Sequence, residues 1–90
     1  MKDNKEAALR RLARLEGQIR GIARMIEEDR YCVDILNQTT AVRSALVQVE
    51  MLVLKDHADD CVEEAIASRD MEAQRRKFRE LVEIFEKVCG

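Results

Sequence analysis

The sequence has no proline and few glycines or aromatic residues. Its 90 residues include three glycines, one tyrosine, two phenylalanines and no tryptophan, whereas 47% are hydrophobic and 38% are charged. Proline and glycine interrupt helices and are common in turns, so their scarcity favours long helices. An aromatic-poor chain of this size buries little surface by itself. We therefore expect one all-α domain, spanning residues 1–90, that forms oligomers.

Long apolar segments are also missing. No run of about 18 apolar residues is present, which excludes a membrane-spanning helix, and we expect no membrane partner. The first residues, MKDNKEAALRRLARLEG, are charged and lack the apolar segment of a secretion signal. Three cysteines, far apart and odd in number, indicate thiols in a reducing cytoplasm and not a disulfide framework. The last of them, Cys89, has no visible partner, and we expect it to be incidental.

Charge is unevenly distributed, although the net charge is only −2. Five arginines and one acid between residues 9 and 24 give this segment a charge of +4, whereas residues 50–72 carry −6. A basic segment on an otherwise acidic protein is typical of a localised surface for a polyanion. Charge alone is equally compatible with an ordinary solvated helix face.

Apolar residues recur at intervals of three and four, which predicts three helices. The second helix runs from about residue 33 to 67 and would be about 50 Å long, too long for a compact monomer of this size. It carries two adjacent apolar stripes, as in a helix bundle with a partner chain. The first helix is defined by Leu9, Leu12, Leu15, Ile19, Ile22 and Ile26, and the third by Phe78, Leu81, Val82, Phe85 and Val88.

The predicted breaks lie on both sides of the second helix. Asp29 is a candidate to cap its start. The segment ASRDMEAQ, residues 67–74, interrupts the apolar pattern before the third helix. No pair of short helices joined by a glycine turn is present, so the chain lacks a helix-turn-helix motif.

The only histidine, His57, lies four residues before Cys61. Residues with this spacing are about 40° apart around a helix, so both side chains can bind one ion. Cys32 precedes Cys61 by 29 residues, which is about 40 Å along a straight helix. One chain cannot bring all three together. Two antiparallel chains can, with Cys32 of one chain beside His57 and Cys61 of the other, twice per symmetric dimer.

Two thiolates and one imidazole form a soft ligand set that favours Cu(I). A closed Zn(II) site needs a fourth donor, for which Asp60 and Glu64 are near in sequence. The thiols must lose their protons to bind, so affinity should fall at acid pH. The alternative interpretation is that Cys61 is an ordinary buried cysteine and His57 an ordinary helical histidine. The spacing alone does not decide between this interpretation and a metal site.

Three motifs, RLEGQIRGI, DRYCVDIL and His-x-x-x-Cys, closely resemble the copper-sensing operon repressors over about residues 8 to 88. These are small all-helical bacterial DNA-binding proteins. The resemblance implies a three-helix protomer, an antiparallel four-helix-bundle dimer and a disc-shaped tetramer. It also implies a repressor that binds double-stranded operator DNA and is released by Cu(I), which derepresses copper-resistance or efflux genes.

The resemblance implies a metal site in which one protomer supplies Cys32 and its partner supplies His57 and Cys61. All three residue types match the copper branch, because the nickel and cobalt branch has histidine in place of Cys61. Tyr31 matches the tyrosine that precedes the first ligand. A glutamate on the third helix is expected to bond the ligand histidine. An ungapped count falls on Lys77, whereas a three-residue insertion near MEAQRRK gives Glu80, which fits the following apolar pattern LVEIF better and is the residue we favour.

The residues that resemble DNA contacts lie on the first helix. Arg11 matches the family position, and Arg10 and Arg14 are its neighbours by charge and spacing. Two positions depart from the pattern: Gln48 replaces a basic residue of the copper sensors, and Thr39 replaces the usual aliphatic residue.

Other functions remain open at this point. One is a repressor that senses persulfide or redox state through Cys32 and Cys61, although that branch usually lacks the histidine. Another is a copper-buffering module with no role in DNA binding, or a site that holds Zn(II) or no metal. An enzyme is not expected, because no nucleophile–base pair or phosphate-binding loop is visible.

Overall fold

A computed structural model describes residues 3–89 as three α-helices, in the order α1 (Lys5–Glu27), α2 (Cys32–Ser68) and α3 (Met71–Cys89). No strand is found among these residues, and the predicted all-α, three-helix fold is confirmed. None of the helices in residues 3–89 is both long enough and apolar enough to span a membrane. Met1, Lys2 and Gly90, the ends of the predicted 1–90 domain, lie outside the described residues.

The end of α1 is closed by a tight set of backbone hydrogen bonds. The amide of Arg30 donates to the carbonyl of Met25 at 2.9 Å, and that of Asp29 to Ile26 at 3.1 Å. Asp29 adopts a positive φ of 54°, so the three features together form a Schellman motif. The prediction that Asp29 caps the second helix is therefore wrong. It terminates α1, and α2 begins only at Cys32.

α2 is a single uninterrupted helix of 37 residues, close to the predicted range of 33 to 67. Its first turn is set by the Tyr31 carbonyl, which accepts the amides of Asp34 at 3.0 Å and Ile35 at 3.2 Å. The helix ends at Ser68 and is followed by Arg69, which has a φ of 55°.

α3 begins earlier than the apolar pattern predicts. The carboxylate of Asp70 accepts the backbone amide of Glu72 at 3.0 Å, which caps the first turn. The break between α2 and α3 is thus limited to Arg69 and Asp70. The predicted interruption over residues 67–74 was too wide, because a polar cap, and not apolar periodicity, starts this helix.

The described residues group into two compact units. One is Lys5–Val49, and the other comprises the residues from Glu50 on with the short segment before α1. A single domain over the whole chain stays a prediction. Few side chains are buried: Ala8, Leu15 and Val49 in the first unit, and Leu54, Asp56 and Cys61 in the second.

Much of the predicted apolar stripe is exposed in the single chain. On α1, only Leu15 of that stripe is buried, whereas Leu9, Ile19 and Ile26 are each more than half exposed. Leu36 on α2 is also mostly exposed. Exposed apolar residues at helical spacing are typical of a surface that another protein chain covers.

Candidate metal centre and nucleic-acid interface

The thiol of Cys61 and the imidazole of His57 lie next to each other on α2. The Cys61 Sγ to His57 Nε2 distance is 3.6 Å, as the one-turn spacing predicts. Cys61 is 4% exposed, and His57 is partly exposed. The thiol and the imidazole ring are thus brought together by local helix geometry alone.

A cavity of about 280 Å³ adjoins the Cys61 thiol. Its walls are mainly apolar. The other residues that line it come from the end of α2 and the first half of α3: Val62, Ala65, Ile66, Gln74, Lys77, Phe78 and Leu81.

Glu80, and not Lys77, is the α3 residue beside the histidine. Glu80 Oε1 lies 3.3 Å from His57 Nε2, whereas Lys77 Nζ lies 3.5 Å from the carboxylate of Glu64. Nε2 has both the carboxylate and the thiol as neighbours, and the carboxylate is the stronger acceptor for a proton on that nitrogen. A proton held there leaves the lone pair on Nδ1, the form of the imidazole that a metal requires.

The remaining predicted residues of the metal site lie at the start of α2 and directly before it. Cys32 is its first residue and has an exposed thiol, and Tyr31 before it is 69% exposed. Across residues 3–89, no three side chains of His, Cys, Asp or Glu form a metal-binding group within the chain. All three cysteines are free thiols, and Cys89 is exposed as the last residue of α3.

The two residues considered as a fourth donor for Zn(II) have other surroundings. Glu64 is paired with Lys77. Asp60 is exposed and lies with other acids around a separate polar cavity. Within residues 3–89 neither residue completes a metal-binding group with the thiol–imidazole pair, so the donors of one chain at this site are Cys61 and His57, supported by Glu80.

The arginines predicted to contact DNA are all exposed on α1. Arg11 Nη1 donates a short hydrogen bond of 2.6 Å to Gln48 Oε1 on α2. Further along α1, Arg20 lies 4.0 Å from the carboxylate of Glu16. Arg11 is thus attached to a neutral group, whereas Arg20 is close to a negative one.

Two further contacts were not predicted from the sequence. The backbone amide and the side-chain amide of Asn4 donate to Asp56 at 3.3 and 2.7 Å, and Asp56 is only 5% exposed. These donors compensate the burial of a charge. The Thr39 hydroxyl donates to the Leu36 carbonyl at 2.8 Å, which explains how a polar residue is accommodated at that position.

Comparison with known proteins gives consistent results. A family model described as metal-sensitive transcriptional repressor matches residues 4–87. The copper-sensing transcriptional repressor CsoR of Bacillus subtilis (strain 168) is 48% identical over 83 residues, which cover 92% of this chain and 79% of that protein.

Two solved structures have a similar fold. One is the copper-sensing repressor CsoR with Cu(I) from Geobacillus thermodenitrificans NG80-2, with a TM-score of 0.80, 39% identity and coverage of 100% of this chain and 91% of that chain. The other is the nickel-responsive transcriptional regulator InrS, with a TM-score of 0.80, 34% identity and coverage of 98% and 96%. The same fold therefore occurs in a copper-sensing and in a nickel-responsive protein.

Proposed function

The chain belongs to the metal-sensitive transcriptional repressors, and from that membership we propose that it binds double-stranded operator DNA and is released by Cu(I). The observation that carries the proposal is the pairing of the Cys61 thiol with the His57 imidazole at 3.6 Å, with Glu80 beside the ring. In this proposal the protein is a cytoplasmic DNA-binding repressor, not an enzyme, and Cu(I) is its inducer.

The proposed ligands are Cys32, His57 and Cys61. Two thiolates and a neutral imidazole are the donor types that Cu(I) prefers. When bound, Cu(I) would supply soft coordination bonds that join these three side chains. Glu80 would hold the proton of the histidine and so keep the other ring nitrogen free for coordination.

The third ligand is proposed to come from a second copy of the chain. Twenty-nine residues of uninterrupted helix separate Cys32 from Cys61, which corresponds to about 43 Å of helix rise. An antiparallel partner removes this separation, and the exposed apolar residues of α1 and α2 offer the surface for it. We propose an antiparallel homodimer that assembles further into a homotetramer.

DNA binding is assigned to the basic face of α1. Arg10, Arg11 and Arg14 are exposed and would contact phosphates, so operator binding should weaken steeply as salt rises. Binding of Cu(I) at the subunit interface would shift the assembly towards a form in which these arginines fit DNA less well. A coupling of about 1–3 kcal/mol is typical of such linkage. Moving the population from about 99% of the DNA-binding form to about 99% of the released form needs a coupling of about 5.5 kcal/mol.

The test compares two cysteine variants in operator binding. Cys32→Ala should bind the DNA upstream of its own gene with unchanged affinity but should no longer be released by Cu(I). Cys89→Ala removes an exposed thiol outside the proposed site and should respond like the unaltered protein. Loss of operator binding by Cys32→Ala, or release of that variant by Cu(I), would contradict the proposed ligand role.

His57→Ala separates the copper sensor from a persulfide or redox sensor. A sensor that links Cys32 and Cys61 by sulfur chemistry does not need the imidazole, so it should still respond after this change. The copper sensor should lose its response. A copper-buffering module, in turn, would show no preference for operator DNA in the same binding assay.

A further inference from the structure

The contact between Arg11 and Gln48 has a geometry that suits a positioning role. The two residues are 37 positions apart, lie on different helices and are both exposed, yet Arg11 Nη1 and Gln48 Oε1 are only 2.6 Å apart. A hydrogen bond from a charged donor of this length is strong. It restricts a long side chain that would otherwise sample many rotamers, so the guanidinium is presented in a defined orientation.

The chemistry of glutamine makes this contact different from an ion pair. Arginine has only donors, so the amide oxygen of Gln48 must face it and the amide NH₂ must point elsewhere. The contact therefore fixes the guanidinium without neutralising its charge. Arg20, by contrast, has the Glu16 carboxylate at 4.0 Å, which competes with a phosphate for the same cation.

We infer that Gln48 is a positioning residue for operator binding: it orients Arg11 towards a DNA phosphate and directs its own amide NH₂ to the same backbone. This inference rests on the proposed function, because it assigns a role within the DNA contact. In this arrangement the Arg11–Gln48 pair presents one full positive charge and two groups of hydrogen-bond donors, the guanidinium and the amide NH₂. Gln48 thus contributes direction and hydrogen bonding, and Arg11 contributes the charge.

The experiment measures affinity of the full-length protein for the DNA upstream of its own gene over a range of salt concentrations. Gln48→Ala should weaken binding about fivefold to tenfold and leave the slope of log affinity against log salt unchanged. Arg11→Ala should lower that slope by about one. In the Arg11→Ala background, Gln48→Ala should weaken binding only about twofold, because the orientation of Arg11 no longer contributes and only the hydrogen bond of the Gln48 amide is lost.

Two further variants serve as matched controls. Gln48→Glu keeps the shape of the side chain but places a carboxylate against Arg11, so it should weaken binding more than Gln48→Ala and lower the salt slope. Gln38→Ala removes another exposed glutamine from α2 and should leave affinity unchanged within about twofold. Two results would overturn the inference. One is that Gln48→Ala binds with the same affinity as Gln38→Ala, and the other is that Gln48→Ala weakens binding equally with and without Arg11.

A measurement without DNA separates this inference from the proposed function. In NMR spectra of the protein alone, the Arg11 guanidinium should give slowly exchanging N–H signals that Gln48→Ala abolishes. If the unaltered protein shows no preference for operator DNA, the proposed function fails, and the role of Gln48 fails with it. If the unaltered protein binds operator DNA but the Arg11 signals are the same in Gln48→Ala, only the positioning role is wrong.

Discussion

His57 has two neighbours that determine what its ring can do. A thiol lies 3.6 Å and a carboxylate oxygen 3.3 Å from the same nitrogen. A carboxylate beside a ligand histidine fixes the tautomer and the ring orientation, and so affects both metal affinity and the transmission of binding. Because Glu80 lies on α3, this contact also connects the proposed ligand pair on α2 to a second helix.

Glu80→Gln is expected to lower Cu(I) affinity about 10- to 100-fold, because an amide neither attracts the ring proton as strongly nor holds the ring in place. Competition with a chromogenic Cu(I) chelator measures this affinity. Glu64→Gln is the matched control, since Glu64 also connects α2 to α3 but is paired with Lys77. Equal affinities of Glu80→Gln and Glu64→Gln would contradict the role assigned to Glu80.

Some of these residues could be predicted from the sequence and others could not. The proximity of His57 and Cys61 follows from helix spacing, which is a local property. The position of Glu80 required a gap in the count, and the apolar pattern after it was enough to favour it over Lys77. The bonds from Asn4 to Asp56 span 52 residues, and no local pattern indicates such a contact.

At the scale of the helices, both connections use a non-glycine residue with positive φ. Asp29 has a φ of 54° after α1, and Arg69 a φ of 55° after α2. This conformation costs about 1–2 kcal/mol for most residues and less for aspartate, whose short side chain can bond locally. Arg69 is therefore the more strained of the two, and the connection between α2 and α3 is the one that substitution can improve.

Arg69→Gly is expected to raise the free energy of unfolding by about 1 kcal/mol, because glycine adopts positive φ without steric cost. Urea unfolding at a fixed chain concentration measures the change. Arg69→Ala removes the same side chain but keeps the Cβ, so it should give no such gain. A stability of Arg69→Gly equal to or below that of Arg69→Ala would contradict the assignment of strain.

The ends of the helices also show where sequence patterns are weak. Apolar periodicity located α1 and α2 well, since both carry long stripes. It placed the start of α3 too late, because the first turn of that helix is polar and is begun by the Asp70 cap. Asp29 is a favourable capping residue by type, yet the Schellman bonds of α1 use it instead.

At the scale of the whole molecule, the central feature is an apolar surface that remains exposed to solvent in one chain. Side chains of the α1 stripe and of Leu36 on α2 remain exposed in one chain. Composition and the length of the second helix predict a partner chain, and the exposed apolar residues agree with that prediction. Which residues would meet across the proposed interface depends on the register of two chains, and the pattern of a single sequence does not determine it.

The most direct test of an intersubunit site is copper binding by mixed assemblies of two inactive variants. Cys32→Ala and Cys61→Ala chains are refolded together at equal amounts, and bound Cu(I) is measured per chain. Each variant alone should lose the three-ligand site. In the mixture, half of the dimers pair different variants and regain one of two sites, so about one quarter of the unaltered binding should return. No recovery on mixing would show that the ligands do not come from two chains and would contradict the account.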